Sequence, residues 1–92
     1  MRFRARIEVK LKGDMMDPAA ETIKKSLIDL NFPVMNTKLA QVYEVTLDAK
    51  TKKDAEASVQ LMCSRLIANP VKDEFKFTVE EDGSSISSES NS

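Results

Sequence analysis

The stretch RFRARIEVKLK, from Arg2 to Lys12, alternates without a break between apolar and charged side chains. Phe3, Ala5, Ile7, Val9 and Leu11 share one parity, and Arg2, Arg4, Arg6, Glu8, Lys10 and Lys12 share the other. Side chains of a strand point alternately to its two faces, so this pattern predicts a strand with one buried and one solvated face. Such a strand needs partners along its edges and a layer over its apolar side. The rest of the chain has to supply both.

Two helices can be read downstream. Gly13 opens a turn, and Asp17 followed by Pro18 makes an N-cap with proline at the first helical position, where its missing N–H costs nothing. Ala20, Ile23, Leu27 and Leu30 then recur at helical spacing as the stripe to be buried, with Glu21, Lys24, Lys25 and Asp29 toward water. Asn31 and Pro33 end this helix. Met15 and Met16 are expected to pack at the domain edge. Thr51 caps a second helix with Asp54 three residues on, and Ala55, Val59, Met62 and Leu66 form its buried stripe until Pro70 stops it.

Further strands complete the pattern. In VYEVTLDA, Tyr43, Val45, Leu47 and Ala49 are assigned inward, and Val42, Glu44, Thr46 and Asp48 outward. The preceding residues have no clear period, and they read as a strand over 34–38 with a turn near Leu39–Gln41, or as part of one long bent strand. The closing strand, 71–80, turns Phe75, Phe77 and Val79 to one face. The order β-α-β-β-α-β predicts an α+β, ferredoxin-like fold, with a four-stranded antiparallel sheet in the order 4-1-3-2 and two helices on one of its faces. On the open face, Glu44, Asp48, Glu74 and Glu80 would flank the basic side of the first strand and neutralise it. The domain spans 1–81, and 82–92 is an acidic, serine-rich tail that reads as flexible.

Ninety-two residues make a single small core, and such a core gains from burying more surface against a partner, so self-association is expected. With 14 basic and 15 acidic side chains the net charge is −1. Charges interrupt every apolar run, so no membrane segment is expected and the chain reads as cytoplasmic. There is no histidine and one cysteine, which leaves no basis for an internal disulfide or a zinc site.

Several residues invite a chemical reading, and each has a stronger structural one. Cys63 lies beyond the middle of its predicted helix without a general base, so it reads as a small buried hydrophobe rather than a nucleophile. The charged parity of the first strand reads as a solvated or interfacial face rather than an acid–base site. RNA binding on such a sheet requires exposed aromatics, whereas Phe3 and Tyr43 fall on the buried parity. KGDMMD has a single glycine and no phosphate-loop pattern, and an amino-acid-sensing regulatory domain of this topology would also want a glycine-rich loop there. No catalytic, cofactor-binding or metal-ligating residue is assigned.

LKGDMMDPAAETIKKSLIDLNF, YEVTL and MCSRLIANPVKDEFKFTVE together resemble the PurS family, the small subunit of the three-part formylglycinamidine ribonucleotide (FGAM) synthase. The resemblance runs from about residue 3 to 81, and its sharpest piece is Leu66-Ile67-Ala68-Asn69-Pro70-Val71. It implies a non-catalytic subunit that docks a glutaminase (PurQ) to an ATP-dependent synthetase (PurL) and assists ammonia transfer from glutamine to formylglycinamide ribonucleotide. It also implies a dimer or higher oligomer. ATP and Mg2+ would serve the complex, with no cofactor bound by this chain; nucleic acid and membrane are not among the implied partners. The alternative is a small ligand-sensing regulatory module. The chain departs from the family in having Ala19-Ala20 where glycine often follows the Asp-Pro pair, and Ala40-Gln41 where Gly-Lys is common.

Overall fold

The computed structural model describes residues 1–13 and 15–82, so the tail assigned to 82–92 lies, after Asp82, outside the described residues. The elements are β1 (Arg2–Leu11), α1 (Pro18–Asp29), β2 (Ala40–Asp48), α2 (Lys52–Met62), a π-helical turn (Cys63–Ile67) and β3 (Asp73–Glu81). They give an α+β protein in which the three strands form one antiparallel sheet ordered β2-β1-β3. β1 is central, with Ile7 opposite Tyr43 on one side and Phe77 on the other. Its alternation holds as read: Phe3, Ala5, Ile7 and Val9 are buried, and Arg2, Arg4 and Arg6 are exposed. Backbone bonds between Met1 and Ala49, and from the Asp82 N–H to the Arg2 carbonyl at 2.9 Å, close the ladder at that end.

Both helix starts form as their caps dictate. Asp17 accepts the Ala19 N–H at 3.0 Å, and Thr51 accepts the Asp54 N–H at 3.1 Å. α1 ends in a Schellman motif, in which Phe32 donates to the Leu27 carbonyl and Asn31 to that of Ile28. Asn31 takes the left-handed conformation this requires, at φ 71°. Asparagine tolerates it better than most side chains.

α2 packs over β1 and β3, where Ala55, Val59 and Cys63 join Phe3, Ala5, Ile7, Val9 and Val79 in the core. Val45, Leu47, Ala49, Phe75 and Phe77 pack around it, half-buried, on the parities expected. The π-helical turn is where helical spacing misleads. The Ala68 N–H reaches back five residues to the Cys63 carbonyl at 2.9 Å, so the helix widens by one residue and its inward face moves on. Cys63 and Ala68 are buried in consequence, while Leu66, expected in the buried stripe, is 85% exposed.

Two larger expectations change. The sheet has three strands among the described residues, because 34–38 form no ladder. That segment follows Pro33, which lacks a donor, and has neither strand alternation nor a glycine to turn it back along β2. The two helices also do not share the sheet. α1 contributes nothing to the core cluster, and of its predicted stripe only Ala20 is buried, with Ile23 42% and Leu30 66% exposed. Met15 and Met16 are likewise exposed rather than packed. The radius of gyration, 16.9 Å, records this arrangement, since a compact chain of this length would have about 12 Å.

Candidate functional site

Cys63 is fully buried in the core, beneath α2. Burial pushes its thiol pKa up, because the thiolate would lose its hydration. This is the opposite of what a nucleophile needs. The sign of the linkage follows: a folded pKa above the unfolded one leaves stability intact below the ordinary thiol range and erodes it as pH rises through the folded value. Cys63 is therefore expected to react with iodoacetamide at neutral pH only as fast as the chain unfolds, and rapidly in denaturant. Rapid alkylation of the native chain at pH 7 would refute the buried placement.

The outer face of the sheet brings the charges of β1 against those of its neighbours. Arg2 lies opposite Asp48, Arg4 opposite Glu80, Arg6 opposite Glu44 and Lys10 opposite Glu74. Arg6 reaches Glu44 at 3.5 Å and Lys10 reaches Glu74 at 3.8 Å. These exposed pairs each contribute less than about 1 kcal/mol, but they leave the face balanced, as the sequence pattern implied.

A cleft of about 250 Å³ lies between the β1–α1 loop and residues 36–39, walled by Leu11, Met15, Ala20 and Leu39 with Asp17, Glu21 and Lys38 at hand. Two of its polar groups serve the local fold. Asp17 caps α1, and Lys38 Nζ donates to the Gly13 carbonyl at 3.2 Å. Among the described residues no polar or charged side chain is buried, and no three acidic or cysteine side chains come together as a metal site. No described helix is long and apolar enough to cross a membrane.

What the fold does display is apolar surface. Ile23, Ile28, Leu30 and Phe32 stand exposed on and just after α1, and Leu61, Leu66 and Val71 at the far end of α2. Sequence reasoning placed Ile23 and Leu30 in a stripe to be buried but assigned no role to Ile28 or Phe32, and it put Leu66 inward because no local signal marks the π-helical turn. Val71 stood in the predicted closing strand without a face of its own. Apolar surface of this extent on a small domain marks contact with another protein.

Fold and surface together define a small α+β protein built for association. The chain belongs to the PurS family: the family model described as phosphoribosylformylglycinamidine (FGAM) synthase matches residues 4–81. The phosphoribosylformylglycinamidine synthase subunit PurS of Methanothermobacter thermautotrophicus is 32% identical over 88% of this chain and 96% of its own length. The structure of Methanocaldococcus jannaschii PurS superposes with a TM-score of 0.77 at 26% identity, over 86% of this chain and 96% of that one. A chain of the PurLQS structure from Thermotoga maritima superposes with a TM-score of 0.80 at 27% identity, over 87% of this chain and 99% of that one.

Proposed function

We propose that this chain is the small, non-catalytic subunit of an FGAM synthase in purine biosynthesis. It holds a PurQ-like glutaminase against a PurL-like, ATP-dependent synthetase and assists the passage of ammonia between them, in the cytoplasm. The observation that carries this reading is the match over almost the whole length of a chain in PurLQS. The surface agrees with it, since Ile23, Ile28, Leu30, Phe32 and Leu66 stand exposed, while Asp17 serves as a helix cap and Arg6–Glu44 and Lys10–Glu74 as cross-strand pairs. ATP and Mg2+ belong, in this reading, to the synthetase. The regulatory-module alternative finds less support, because the cleft beside the β1–α1 loop has no buried polar group to recognise a small ligand.

The same reading accounts for α1. A helix with an apolar stripe that its own sheet leaves uncovered stabilises a second copy of the chain, and we assign self-association to it. β2 pairs only with β1 among the described residues, so its other edge presents unpaired backbone groups. In the assembled state, residues 34–38 would fill that edge and complete the four-stranded ferredoxin-like sheet.

Size-exclusion chromatography of the chain with its own synthetase and glutaminase tests the reading. All three are expected to co-elute, with amide exchange across 34–38 slower in the assembly than in the isolated chain. Separate elution of the three proteins would sink it.

A further inference from the structure

Two apolar surfaces of this protein lack a covering layer. The first is the inward face of the sheet on its β2 side. Three strands are about 14 Å wide, and the single helix α2, about 10 Å across, lies over β1 and β3. Tyr43, Val45 and Leu47 share the inward parity of β2, yet Tyr43 is exposed and the other two are half-buried, whereas Ile7, opposite Tyr43 on β1, is fully buried. The second surface is the stripe of α1. Ile23, Leu27 and Leu30 follow one another at spacings of four and three, which places them on one face of the helix. Phe32 continues the stripe past the Schellman turn.

The two surfaces do not meet within one chain. α1 begins at the end of the sheet, where Asp17 and Ala19 share a cleft with Leu11 and Ala40. β1 is about 33 Å long and α1 about 18 Å. The 50 Å length of the protein exceeds the strand by about one such helix, so α1 carries on beyond the sheet rather than folding back over it. An element that projects in this way reaches a second copy, and a two-fold axis makes the exchange mutual.

The area agrees with a dimer. Ile23, Leu30, Phe32, Leu39 and Tyr43 are between 36% and 66% exposed, which leaves on them about 450 Å² per copy at about 200 Å² for a fully exposed large side chain. Covering them on both copies hides about 900 Å², close to the apolar share of a standard interface of about 1,600 Å². A second copy brings both halves of the match, a bare helix and a bare flank of sheet.

We propose that α1 of each copy seats on the β2 flank of the other copy's sheet, beside that copy's α2, with Ile23, Leu27 and Leu30 against Tyr43, Val45 and Leu47. The inference rests on the self-association assigned to α1 above and names the surface that receives it.

Disulfide trapping between copies tests the seat. In a Cys63→Ala background, one chain carries Leu27→Cys and a second, enlarged by a tag so that the products separate by mass, carries Val45→Cys. After the two are equilibrated together and mildly oxidised, the mixed disulfide is expected to exceed either like-with-like disulfide by about tenfold, because the bond forms only between Cα atoms within about 7 Å. Independently, Tyr43→Glu, on a strand distant from α1 in its own chain, is expected to raise the dissociation constant between copies by about tenfold or more with the circular dichroism spectrum unchanged. A dominant disulfide between two Leu27→Cys chains would mean helix against helix, which overturns the seat and leaves self-association standing. Closure of the disulfide inside a single chain carrying both substitutions would place α1 over its own sheet and overturn the seat. So would unaltered sedimentation of Tyr43→Glu, or the absence of any mixed disulfide from a chain that sediments as a dimer. If wild type is monomeric, the seat and the self-association fall together, while co-elution with synthetase and glutaminase still decides the docking role.

Discussion

Leaving this chain out of a reconstituted mixture of its synthetase and glutaminase is expected to lower glutamine-dependent synthesis by about two orders of magnitude, while synthesis from a high concentration of ammonium salt continues. The reasoning follows from what each route needs. With glutamine, ammonia released at one site has to reach another before it is diluted, and that depends on holding the two enzymes together. With ammonium salt the nucleophile is supplied from solution, so the synthetase needs neither the glutaminase nor the subunit that docks it. On the docking reading this chain contributes position, and position matters only when the second reactant is otherwise scarce. A subunit that donated an acid, a base or a nucleophile to the ATP-dependent step would be required on both routes. Parallel assays with and without the chain, one set given glutamine and the other ammonium, separate the cases. Equal loss on both routes would show that it contributes to the chemistry itself.

The second large effect is expected from α1. Replacing Ile23 and Leu27 by glutamine keeps good helix formers in place but removes the centre of the apolar stripe. In a two-fold dimer each substitution counts twice. Four side chains at about 1.5 kcal/mol each amount to about 6 kcal/mol, or a dissociation constant raised by about four orders of magnitude. Wild type is expected to sediment as at least a dimer at micromolar concentration and the variant as a monomer. The core cluster draws on β1, α2 and β3, and takes nothing from α1, so the sheet and its circular dichroism signature should survive. Identical sedimentation of variant and wild type would remove α1 from the interface.

These effects bear on how far the sequence could be read. Alternation in β1, β3 and the second half of β2 was legible because a half-buried strand records its two environments residue by residue, as Ile7 and Arg6 or Val79 and Glu80 do, whereas Tyr43, assigned inward, is exposed near the start of β2. Caps were legible because Asp17-Pro18 and Thr51 satisfy backbone groups locally. Two things were not. Ile23, Leu27 and Leu30 announce an apolar partner, but a stripe does not say whether that partner lies in the same chain or in another, and here the chain's own sheet does not cover it. Leu66 fits the helical spacing of Val59 and Met62, and the change of spacing at Cys63 is set by how Ala68 seats in the core, which is a tertiary matter. The candidate surfaces were hidden for the same reasons, since both consist of residues whose apolar character pointed to the interior.

In its thinnest direction the backbone spans 16 Å. A sheet with one helix over it is about 10 Å from layer to layer, so this thickness leaves room for a single seam of side chains and nothing enclosed within it. A conduit able to keep a small solute such as ammonia from bulk water needs a complete wall around it. One copy of this chain is a plate, and a plate can form only one side of such a passage. Whatever shelter ammonia has on its way must therefore be bounded by surfaces of different chains, and its integrity would depend on how tightly they are joined.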